Sequence, residues 1–217
     1  MSSMTRPVVM ILRIAEFLLL FIGIPLLIYF DKDFIHPSML IIPLLIFIFI
    51  VMKRTTSFTW KELVSWKIST RLLRRHGLIV LITFLVMLGS VYLFDRENLF
   101  NLIRTHPVIF LALAILYPVF SAFGQEVIYR TFLFRRYRLL FPKDWQFVLV
   151  SGLTFSFMHI VYYNPLSMVL TLIGGLYFAF VYIQTRSVLF SSVLHGCMGT
   201  IVFAVGLGQY FWLDMPV

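Results

Sequence analysis

Seven apolar runs divide this 217-residue chain, at roughly 8–30, 39–52, 77–94, 107–124, 145–163, 165–183 and 187–213, and its charges fall mostly between them. A helical membrane span needs about 20 apolar residues. Lipid offers no partner to a bare peptide group, so a chain of this pattern satisfies its backbone inside helices. Charged residues make up only 12% and mean hydropathy is +0.97, against about 25% charged in soluble domains. These values exclude an ordinary soluble fold. The fold expected is all-α, a polytopic transmembrane helix bundle of about seven to eight spans, the larger count breaking the last run in two. No fixed-period repeat or low-complexity linker divides the chain, so residues 1–217 read as a single membrane domain.

The net charge of +9 raises the question of nucleic acid, but the placement of the charges argues for membrane topology and no nucleic-acid partner. Seven basic residues fall in 53–76 (Lys53, Arg54, Lys61, Lys67, Arg71, Arg74 and Arg75), and four more are Arg135, Arg136, Arg138 and Lys143. The intervening loops carry Lys32, Arg96 and Arg104, diluted by Asp31, Asp33, Asp95 and Glu97. The positive-inside rule then sets the richer loops, and with them the N-terminus, on the cytoplasmic side of a multi-pass integral protein. Val8–Phe30 exceeds a signal-peptide core and no small-residue cleavage site follows it, so it reads as a retained first span.

Within 53–76, basic residues interleave with Phe58, Trp60, Leu63, Trp66, Ile68, Leu72 and Leu73, a pattern suited to a helix lying on an anionic lipid surface; a solvated basic loop is the plainer reading. Arg13 and Glu16, three residues apart, share a helix face and can pair. Cys197 is the one cysteine and has no intrachain disulfide partner. Pro43 is placed to kink the short run at 39–52, which reaches span length only if Phe34 to Ser38 join it.

Three apolar stretches carry ionisable groups. One holds Gln125-Glu126-Val127-Ile128-Tyr129-Arg130, one Phe155-Ser156-Phe157-Met158-His159, and one His195 within Ser191-Ser192-Val193-Leu194-His195-Gly196-Cys197-Met198-Gly199. Such groups at bilayer depth cost several kcal/mol unless they face protein or water, which marks them as functional by default. Glu126 and Arg130 are one turn apart in the favoured order for an intrahelical pair. Gln125 points about 100° from Glu126 around the axis, so the two do different work. Phe155 and His159 share a face, and the small residues around His195 allow close helix approach. Two imidazoles and a carboxylate on separate helices can hold a water, accept its proton and leave a donor for an oxyanion. That is the chemistry of amide hydrolysis. Taken singly, a membrane histidine is more often an interhelical hydrogen-bonding group.

In order and spacing the set resembles the CPBP family of intramembrane endopeptidases, the group of CAAX prenyl proteases and bacteriocin-processing or self-immunity (Abi) proteins. The family's Glu-Glu-x-x-x-Arg is matched by Gln125 to Arg130, its Phe-x-x-x-His by Phe155 to His159, and its His-x-x-x-Asn/Asp by His195 alone, with Gly199 at the last position. The resemblance covers 107–213 as a motif-bearing core, with 1–106 as the helices the family varies. It implies a hydrolase, an intramembrane endopeptidase cutting a peptide or protein substrate, prenylated or not, with Gln125 at the position of the glutamate that activates water together with His159. Glu126 and Arg130 follow in the same motif, and His195 lines the oxyanion hole.

The departures carry weight. Glutamine orients water but cannot take its proton, forfeiting a general base worth typically 10²–10⁴ in rate. A missing oxyanion donor costs a further 10²–10³. Glu126 could serve instead if the helix is rotated or unwound near Gly124, and a backbone amide near Gly199 could replace the absent side chain. The alternatives are a catalytically weakened relative that binds peptides or partner proteins without cutting, and a small proton-coupled transporter using His159, His195 and Glu126; no inverted repeat supports the latter. There is no His-Glu-x-x-His, Gly-x-Ser-x-Gly beside a histidine, or Gly-x-Gly-Asp. Glu126, His159 and His195 could ligate zinc, but the family pattern favours water activation without a metal, and no cofactor is expected.

Overall fold

The computed structural model describes residues 6–31, 37–55, 58–66 and 68–212. Among them there is no strand, and the apolar runs have become helices: α1 Pro7–Phe30, α2 Pro37–Thr55, α3 Thr70–Phe94, α4 Pro107–Arg136, α5 Asp144–Tyr162, α6 Pro165–Thr185 and α7 Val188–Val205. Among the described residues, α1 and α3 to α7 are six helices long and apolar enough to cross a membrane. The fold is the all-α membrane bundle expected. Residues 34–36, invoked to lengthen the second run, and Lys32, Asp33 and Lys67, used in the charge argument, lie outside the described residues. Pro43 falls inside α2.

Caps explain where the helices start. Ser69 accepts from the Leu72 amide to open α3, and Ser187 from the Phe190 amide to open α7, each satisfying a backbone donor that the first turn leaves free. Among the described residues, the basic segment differs from the surface helix expected. Thr59 and Glu62 close a capping box around a single 3-10 turn, Trp60–Glu62, and Arg71, Arg74 and Arg75 belong to the first turns of α3. Arg13 and Glu16 also find other partners than each other. Glu16 accepts from Arg136 at 2.8 and 2.6 Å and from the Tyr137 hydroxyl at 2.9 Å, while Arg13 donates to the Arg136 carbonyl at 2.9 Å. The pair ties α1 to the end of α4.

The core joins Phe21 of α1, Ile48 and Met52 of α2, Val127 and Phe132 of α4, Phe147 and Phe155 of α5, and Ala179 of α6. Lipid tails are as apolar as leucine, so close packing rather than water exclusion draws membrane helices together. Glycines permit it. At the α5/α6 crossing a Cβ on Gly152 would lie 2.6 Å from Leu176 Cδ2, and one on Gly175 would lie 3.1 Å from the Gly152 Cα. At the α4/α7 crossing a Cβ on Gly196 would lie 2.7 Å from Pro118 Cβ. These two crossings enclose the polar residues.

Candidate active site

Helix α4 is not a plain α-helix. It widens into π turns at Tyr117–Ala122 and Val127–Phe132, on either side of a short α segment Phe123–Glu126. Pro118, with no N–H to give, sits in the first of these turns, and π turns are frequent where a helix carries a functional group. Tyr117, Ser121 and Gln125, spaced by four, line one cavity. It has a volume of about 430 Å³ and is also lined by His159, His195 and Gly199.

Glu126 lies behind this wall rather than on it. Its side chain is fully buried, with Oε2 3.1 Å from Arg130 Nε and Oε1 3.0 Å from His195 Nδ1, and Ser191 donates its hydroxyl to Oε2. Arg130, also fully buried, donates from Nη1 to Ser151 Oγ at 2.7 Å, and Ser151 in turn donates to the Tyr129 carbonyl. The guanidinium faces the rings of Phe155 at 5.2 Å and Phe178 at 6.0 Å, an arrangement that lets aromatic faces help hold a buried cation. The same two rings enclose His195, Phe178 stacked at 4.7 Å and Phe155 edge-on at 5.4 Å. Glu126 serving as the base for a water in the cavity therefore does not describe this arrangement. The helix does depart from α geometry, yet its carboxylate stays engaged by Arg130, His195 and Ser191.

These partners fix the imidazole tautomers. A carboxylate can only accept, so His195 donates from Nδ1; in the neutral imidazole Nε2 is then an acceptor, to which the Tyr117 hydroxyl, 3.0 Å away, donates. His159 is set by a backbone irregularity. At this residue α5 tightens to a 3-10 turn, and the His159 amide turns to the Phe157 and Ser156 carbonyls. The Phe155 carbonyl is thereby released and accepts from His159 Nδ1 at 2.7 Å. A carbonyl cannot donate, so His159 Nε2 keeps its lone pair. Gln125 donates from Nε2 to Ser121 Oγ at 2.8 Å, and its Oε1 is buried with no hydrogen-bond partner among the described residues.

All five residues singled out in the sequence thus gather in one region: Gln125, His159 and His195 at the cavity, Glu126 and Arg130 directly behind His195. Tyr117, Ser191, Ser151 and Phe178 were not singled out. Tyr117 carries no signal of its own in the sequence, and Ser191 had only its spacing of four from His195, the i, i+4 relation that puts it on the same face. Outside the cavity, His76 of α3 is buried and bonded to Tyr177 Oη at 2.7 Å. Among the described residues no three His, Cys, Asp or Glu side chains are grouped to hold a metal ion.

The class defined by fold and site is a multi-pass integral membrane protein with a buried ion pair and two tautomer-fixed histidines around an intramembrane cavity. Residues 107–201 match the family model of Rce1-like, Type II CAAX prenyl endopeptidases, which agrees with the CPBP resemblance carried by the three motifs. Searches of curated proteins and of solved structures gave no match.

Proposed function

We propose that the protein is an intramembrane endopeptidase of the CPBP type, hydrolysing a peptide bond of a membrane-associated peptide or protein near the cytoplasmic face, with its N-terminus in the cytoplasm. The observation that carries this reading is His159, a cavity imidazole whose Nδ1–H is committed to a backbone carbonyl and whose Nε2 is free to take a proton. Water bound at His159 Nε2 would give one proton to the imidazole as its oxygen adds to the scissile carbonyl carbon. Collapse of the tetrahedral intermediate breaks the C–N bond, and His159 returns its proton to the departing amine, so atoms and charge balance. Leu113, Ile173 and Phe203 make much of the remaining lining apolar, which suits an apolar side chain or a prenyl group on the substrate.

One observation favours a second reading. Gln125 stands where the resemblance places a glutamate, so the site would bind a peptide and orient water with a weaker base. Turnover by the purified protein in lipid, on prenylated and unprenylated peptides, separates the two. Cleavage by the native chain that His159→Ala abolishes supports the endopeptidase, and Gln125→Glu should then raise the rate by about 10²–10⁴. Cleavage by Gln125→Glu alone identifies a binding protein on a protease scaffold. Silence from both removes the hydrolytic reading.

A further inference from the structure

We propose that the Tyr117 hydroxyl is the oxyanion donor of this cavity and occupies the space that a side chain at position 199 would otherwise fill. The inference rests on the hydrolytic reading of the same site. In the neutral imidazole, with Nδ1–H given to Glu126, His195 Nε2 is an acceptor, and His159 Nε2 is the proton-accepting group, so neither ring then offers a hydrogen to a developing negative charge. Gln125 gives one amide hydrogen to Ser121, the Thr171 hydroxyl goes to the Ser167 carbonyl, and the Tyr177 hydroxyl to His76. Among the described residues, Tyr117 is the cavity hydroxyl bonded to His195. Its proton rests on His195 Nε2 at 3.0 Å, a neutral acceptor, and an oxyanion is a stronger one. As charge builds on the carbonyl oxygen, rotation about the Cζ–O bond moves that hydrogen bond from imidazole to oxyanion with no covalent bond changed.

Packing holds the phenol in place. A Cβ at Gly199 would lie 2.6 Å from Tyr117 Cζ and nearer still to Cε1 and the hydroxyl oxygen, so the ring and a side chain at 199 exclude each other. Edge-on contacts to His195 at 6.0 Å and Phe203 at 5.8 Å flank the ring. The π turn that begins at Tyr117, and the approach of Pro118 to Gly196, bring the ring to α7. The donor therefore comes from α4, and the glycine on α7 is the space it needs.

The test compares binding of a phosphonamidate peptide, a tetrahedral anion, with binding of the corresponding amide peptide, each in lipid. The native protein should prefer the phosphonamidate. Tyr117→Phe should lose about 10²-fold of that preference, in line with removal of one oxyanion donor, while keeping the affinity for the amide. Ser90→Ala, which removes a hydroxyl on α3 that lies outside the cavity and bonds the Val86 carbonyl, should leave the preference intact. The double variant Tyr117→Ala with Gly199→Asn, in which an amide side chain enters the vacated space, should regain it. An unchanged preference in Tyr117→Phe, an equal loss for both ligands, or no preference in the native protein overturns the proposal. Peptide cleavage is scored separately on the native and Gln125→Glu proteins. Its absence would sink the endopeptidase reading, whereas the binding comparison decides Tyr117 by itself.

Discussion

Removing either member of the Glu126–Arg130 pair should destabilise the bundle far more than removing both. Both side chains are fully buried and their charged atoms are 3.1 Å apart. Glu126→Leu leaves a guanidinium whose remaining support is one serine hydroxyl and two aromatic faces. Arg130→Met leaves a carboxylate supported by Ser191 and His195. An uncompensated buried charge of this kind costs about 3–5 kcal/mol, so the single variants together should cost about 6–10 kcal/mol. The double variant removes both charges and exchanges them for apolar groups of similar size, which is often near neutral. What remains is the His195 Nδ1–H without its acceptor, at about 1–3 kcal/mol; Ser191 keeps its bond to the Phe178 carbonyl at 3.3 Å. The double-mutant cycle should therefore show a coupling of at least about 3 kcal/mol. Reversible unfolding in mixed lipid and SDS micelles measures it. Additive costs would refute the reasoning, because they would mean that each charge is solvated independently of the other.

Two further expectations concern the scaffold. Gly152→Ala should cost about 1–3 kcal/mol by overpacking, since its methyl meets Leu176 at the α5/α6 crossing; thermal unfolding in lipid measures it, and a native midpoint would contradict the tight crossing. Burial, reinforced by the nearby Glu16 carboxylate, holds the Tyr137 hydroxyl above its ordinary titration range. The folded state then keeps a proton that the unfolded chain releases, so stability is complete below pH about 10 and declines as pH rises beyond it. Tyr137→Phe should flatten that alkaline decline relative to the native protein, and parallel stability profiles for the two would count against it.

What the sequence made legible follows from what a membrane demands of it. Apolar runs long enough to span must be helical, so the elements at 8–30, 145–163 and 165–183 emerged close to where hydropathy placed them. The run at 107–124 fell short of the helix end at Arg136 because hydropathy counts Glu126 and Arg130 as polar, whereas the two partner each other inside the bundle. Arg13 and Glu16 erred in the opposite direction. Spacing joined them on one helix, but a partner 120 residues away in sequence offered Glu16 two charge-assisted bonds. The site divides along the same line. Gln125, His159 and His195 could be found because their spacing within each helix is a local property. The tautomer of His159 depends on a change of helix type at one residue, and the reach of Tyr117 depends on a π turn in α4 meeting glycines in α7. Each of these is a relation between backbone shape and a second helix, which hydropathy and spacing along one chain segment do not encode. The same relation gives Gly199 its meaning: read alone it is a missing amide, and against Tyr117 it is the room a hydroxyl from another helix requires.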